Sequence, residues 1–161
     1  MTILEKIRQG FVYFDGGMGT MLQANGLQSG ELPERWNLTH PEQITQIHRA
    51  YVEAGCNILK VNTFGANVYK FGEELSDVIH AAFECARKAV QGEDVALALD
   101  VGPLGKLLQP LGNLDFEEAV QAFGQIVRLG VENGADLILI ETMNDAYETK
   151  AAVLAAKENS T

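Results

Sequence analysis

The chain has 161 residues, 47% of them apolar, which is enough to bury the core of one compact domain. Its 22 acidic against 12 basic residues leave a net charge of −10, a field that repels nucleic acid and anionic membrane surfaces. No apolar run reaches the roughly 20 residues needed to cross a bilayer, and the amino terminus has no charged segment followed by an apolar export core, so a cytoplasmic protein without nucleic-acid or membrane partners is expected.

The first predicted strand covers residues 11–14 and runs into Asp15-Gly-Gly-Met-Gly-Thr20. Residues 21–37 are the least regular stretch. They hold Asn25-Gly26, Ser29-Gly30 and the only tryptophan, Trp36, and read as an extended loop across one mouth of the sheet. Thr39-His-Pro-Glu42 then places a capping hydroxyl, a proline and a glutamate at the start of a helix over 41–54, which stops at Gly55. A strand at 58–61 and a helix over 75–90 follow, then a strand at 95–99. Asp115-Phe-Glu-Glu118 opens a helix over 116–133 that stops at Gly134, and a strand at 137–140 and a helix over 146–157 complete the pattern. Such β-α alternation predicts a parallel sheet with right-handed crossovers.

Residues 52–63 and 131–142 repeat one design of helix end, glycine, apolar strand and polar strand end. Two units of about 40 residues separate them, which suits a (βα) barrel, although helix-glycine-strand junctions also resemble one another by default. No linker, low-complexity tract or charge block divides the chain, so residues 1–161 read as one domain.

Each predicted strand ends in polar residues: Asp15, Asn62-Thr63, Asp100 and Glu141-Thr142. Parallel α/β folds bind ligands at the carboxyl ends of their strands, which places Asp15, Asn62, Asp100 and Glu141 around one mouth. Gly16 and Gly17 let a ligand approach the backbone and free successive amide N–H groups for an anion, while Asp15 offers a partner for a cation. The combination suits a zwitterionic amino acid; a tight turn in which Asp15 caps amides is the other reading. Leu22 stands where a dinucleotide fingerprint needs its third glycine, and no Gly-Lys-Ser/Thr follows, so neither nucleotide motif applies. Glu141, at the rim of an apolar run, can bind an ammonium group or pair with Lys60. His40, His48 and His80 lack metal-site spacing, and Cys56 and Cys85, without a CxxC pair, read as reduced small hydrophobes. No catalytic residue and no metal ligand is assigned.

Six segments in order, Asp15-Gly-Gly-Met-Gly-Thr-Met, Trp36-Asn-Leu-Thr-His-Pro-Glu, Ile47-His-Arg-Ala-Tyr-Val-Glu-Ala-Gly, Val61-Asn-Thr-Phe-Gly-Ala, Asp100-Val-Gly-Pro-Leu-Gly and Ile140-Glu-Thr-Met, resemble the homocysteine S-methyltransferases. They are most like the homocysteine-binding module of the cobalamin-dependent methionine synthases. The resemblance implies a (βα)8 TIM-type barrel that transfers a methyl group to the homocysteine thiol to make methionine. It implies that Asp15 and Glu141 hold the substrate amino group, that amides around Gly16 and Gly17 take its carboxylate, and that Asn62 and Thr63 shape the neighbouring wall. Zinc would bind and deprotonate the thiol, with methylcobalamin as a possible methyl donor.

The family binds zinc through three cysteines that have no counterpart here. The resemblance covers four βα units, a half-barrel with units five to eight absent, so an enzyme fragment that is inactive alone is expected. Four barrel strands leave an uncovered inner face and open edges, which predicts pairing with the missing half or with a second copy. A self-assembling scaffold without chemistry is the alternative.

Overall fold

The last three predicted strands form and pair in parallel, in chain order: β1 (Ile58–Lys60), β2 (Ala96–Val101) and β3 (Leu137–Ile140). The computed structural model describes residues 2–160. Register sets Lys60 opposite Ala98 and Asp100 opposite Leu139. Because side chains alternate along a strand, Ile58, Lys60, Ala98, Asp100, Leu137 and Leu139 share one face of the sheet. The opposite face carries Leu59, Val61, Leu97, Leu99 and Val101, all buried in the main apolar cluster.

Among the described residues eight α-helices accompany these strands: α1 (Ile3–Gln9), α2 (Met18–Ala24), α3 (Trp36–Thr39), α4 (Pro41–Glu53), α5 (Val68–Phe71), α6 (Leu75–Ala89), α7 (Phe116–Glu132) and α8 (Ala146–Asn159). The four long ones match the predicted helices within two residues at each end. Gly55 and Gly134 close α4 and α7 with φ of 95° and 82°, the left-handed conformation that favours glycine. Asp115 caps α7 by accepting from the Glu117 N–H. On α7, Gly130 lies so close to the sheet that a Cβ there would meet Leu99 Cδ2 at 2.5 Å, so this helix–strand contact requires glycine.

Three expectations are corrected. Residues 11–14 make no regular strand: Phe14 forms a single parallel bridge to Ile58, with Tyr13 O accepting from the Asn57 and Ile58 N–H groups. Phe11 is 90% exposed and Tyr13 63%, so the run is not buried against a neighbour and the ladder stops at one bridge. Residues 21–37 are not a plain loop, since α2, a 3-10 turn at Pro33–Arg35 and the start of α3 occupy them, anchored by buried Leu22 and Trp36. Thr39 does not cap α4; its hydroxyl lies within hydrogen-bond distance of Arg35 O and His40 Nδ1, and His40 takes the N-cap position without a side-chain bond to the helix N–H groups.

Candidate active site

The carboxyl ends of β1, β2 and β3 and the segment after Phe14 enclose a cleft of about 300 Å³. Each wall is fixed locally. Asp15 is tied to β1 twice, its N–H donating to Ile58 O at 3.1 Å and its Oδ2 accepting from the Lys60 N–H at 3.2 Å. Gly16 packs against Tyr51, where a Cβ would fall 2.7 Å from the ring, and the Tyr51 hydroxyl donates to Gly17 O at 2.9 Å. The close approach of a helix tyrosine thus explains the glycine at 16, a reason invisible in the motif. No described protein group accepts from the Gly16 or Gly17 N–H.

Asn62 lines the cleft and clamps its lid. Its side-chain amide donates to Pro33 O and Asn37 Oδ1, while Asn37 returns a bond to Asn62 O, so buried partners lock the 33–37 segment onto the end of β1. Thr63 is placed elsewhere. Fully buried behind the wall, its hydroxyl donates to Asp100 O and accepts from the Asp100 N–H, so it braces β2 and does not border the cleft.

Glu141 follows β3 with its N–H on Val101 O, and its Oε1 lies 3.8 Å from Lys60 Nζ. Thr142, next along, has φ of 60°, a left-handed conformation rare for a non-glycine residue, which turns the chain at the rim. Among the described residues Lys60 is the only cation lining the cleft, against four carboxylates at 15, 34, 100 and 141. Sequence reading missed Glu34, which is buried and accepts from the Gly65 N–H through Oε1. It sits in an irregular segment, where no strand end or period marks a site residue.

Burial shifts the equilibria of two of these acids. It pushes Asp15 up to about 6, opposed by the Lys60 N–H bond and the Lys60 charge, with Glu141 adding to the rise. Burial pushes Asp100 up to about 7, with Glu141 repelling its charge and Lys60 partly offsetting that. Among the described residues no group of three or more His, Cys, Asp or Glu is arranged to hold a metal ion. Cys56 and Cys85 are buried in separate apolar clusters, where burial raises both thiols. The residues present therefore do not fit a zinc centre. Among the described residues no helix is long and apolar enough to cross a membrane.

The homocysteine S-methyltransferase family profile matches residues 12–161. Methionine synthases from Mycobacterium leprae and Mycobacterium tuberculosis are 31% and 30% identical over 99% of this chain, which spans 14% and 15% of their lengths. The crystal structure of the metallated homocysteine methyltransferase MmuM from Escherichia coli superimposes with a TM-score of 0.80 at 22% identity, over 96% of this chain and 62% of that one.

Proposed function

The chain belongs to the homocysteine S-methyltransferase family, and on that premise we propose that its cleft is the amino-acid-binding side of an active site that methylates the thiol of homocysteine to give methionine. One observation carries the reading: Asp15, Glu141 and the Gly16-Gly17 turn meet in a single cleft with a surplus of negative charge. A zwitterionic amino acid matches that surface at both ends. Its ammonium group goes to Asp15 and Glu141, and its carboxylate to the Gly16 and Gly17 N–H groups. Asn62 keeps the overlying segment closed over the bound ligand.

These residues bind and orient. A zinc ion would supply the thiol chemistry by lowering the thiol pKa, but no group of the described residues fits one, and methylcobalamin is a candidate methyl donor. The same reading makes the chain the first four units of a (βα)8 barrel. The partly exposed β3 and the exposed Phe11 support a covering partner, either further βα units or a second copy.

Calorimetric titration of L-homocysteine into the chain tests the reading. Binding should be weak, zinc-independent and reduced about tenfold or more by Asp15→Ala and by Glu141→Ala, a change of about 1.4 kcal/mol each. Equal affinity in both variants, or no heat at millimolar ligand, defeats it.

A further inference from the structure

Asp100 holds an acceptor that the fold leaves unused. Its side chain lines the cleft at 6% exposure, yet no protein group donates to Oδ1. Asp15 presents the same feature: Oδ2 is bound by the Lys60 N–H, and Oδ1 is buried without a donor. Buried polar atoms are paired in the great majority of cases, because an unpaired one forfeits its hydration. Two orphaned carboxylate oxygens in one cleft therefore call for a ligand with several donors. Lys60 does not supply them, since its side chain is drawn toward Glu141.

An ammonium group carries three N–H donors and a full positive charge. Asp15, Asp100 and Glu141 are three acceptors on the ends of three neighbouring chain segments, which is the number an ammonium needs. The backbone of Asp100 is braced on both sides by the Thr63 hydroxyl, so its side chain is held at the cleft floor by β2 and is not free to swing to solvent.

Resting on the homocysteine reading of the cleft, we propose that Asp100 is a specificity-determining residue, a third carboxylate that receives the ligand ammonium and selects amino acids with a free, cationic amino group over N-acylated ones. Four groups face it: Asp15, Glu34 and Glu141 repel its charge and Lys60 attracts it. With the cleft empty of a cation, the carboxyl holds its proton at mildly acid pH because burial and Glu141 raise it to about 7. An arriving ammonium favours the carboxylate, so binding expels that proton to solvent, and no bond other than O–H is broken.

The test is calorimetry of the whole chain with L-homocysteine and N-acetyl-L-homocysteine at pH 6, in two buffers of different ionisation enthalpy, for wild type and Asp100→Asn. Wild type should release part of a proton on binding homocysteine and should bind the acetylated compound at least tenfold more weakly. Asp100→Asn should lose most of both effects while keeping a cooperative thermal transition, which separates loss of the acceptor from loss of the fold. Should wild type bind homocysteine and the variant match it in affinity, selectivity and proton release, Asp100 is no ligand and this inference fails while the homocysteine reading stands. Should wild type bind neither compound, the homocysteine reading fails and takes this inference with it.

Discussion

The two faces of the sheet obey opposite rules. On the helix side, Leu59, Val61, Leu97, Leu99 and Val101 are all at or below 6% exposure and belong to one apolar cluster shared with α4, α6, α7 and α8. On the cleft side, the same strands carry Lys60 and Asp100 and lead into Glu141, with acceptors left unsatisfied. One face lowers the free energy of folding; the other is tolerated at a cost because a rigid sheet holds its charges in place. Stability and binding are thus separated by the alternation of a single strand, one residue apart.

The largest expected effect comes from breaking the apolar face. Leu99→Ala removes a fully buried side chain that packs on Gly130, and should lower stability by about 3 kcal/mol in chemical denaturation. A loss under about 1 kcal/mol would mean that α7 can collapse into the space, and that the packing is looser than the close Gly130 contact implies.

A second effect sharpens the contrast through pH. Asp15 and Asp100 titrate near 6 and 7 when folded against an ordinary 3.8, so the folded state holds more protons in that window and stability falls as pH rises through it. His48 behaves in the opposite sense. Fully buried in α4 with no partner for either ring nitrogen, it is lowered by burial to about 4 against 6.5, so the unfolded chain holds the extra proton and stability rises between those values. The windows overlap, and because two carboxyls act against one imidazole, stability falls on balance as pH rises from about 4 to 6. His48→Leu should steepen the fall, and Asp100→Asn, which leaves Asp15 set against His48, should flatten it, each by on the order of 3 kcal/mol across its window. Urea denaturation at several pH values measures both slopes; parallel profiles for the two variants would contradict the assignment.

The smallest effect lies outside both faces. Arg35 pairs with Glu74 at 2.8 Å, with both side chains about half exposed, so Arg35→Ala should cost less than about 1 kcal/mol and leave homocysteine binding unchanged. A larger loss would assign the weight to its stacking on Phe71, 5.4 Å from the guanidinium.

Much of this arrangement was legible from residue order. Periodicity and punctuation located the four long helices because amphipathic helices announce their buried stripe, and glycine at 55 and 134 announces the left-handed turn that ends them. Polar residues at the strand ends located the cleft, since parallel sheets place all such ends at one mouth. Three things resisted. Residues 11–14 have strand composition but only one bridging residue, because a ladder needs a partner and composition does not provide one. Thr63 follows a strand as Asn62 does, yet alternation turns it behind the wall. Glu34 reaches the cleft from a segment without period, carried there by the Asn37-Asn62 clamp.

The sequence by itself determined the family, the parallel α/β order and the identity of the strand-end acids, since these depend on local pattern and on spacing along the chain. Only the tertiary structure decided that Glu34 joins the strand-end acids in the cleft, which of their oxygens lack a donor, and why position 16 is glycine. Those outcomes depend on register and on the approach of side chains far apart in sequence, such as Tyr51 on Gly16 and Lys60 on Asp15 and Glu141. A linear pattern carries no information about distances of that kind until the sheet and its helices fix them.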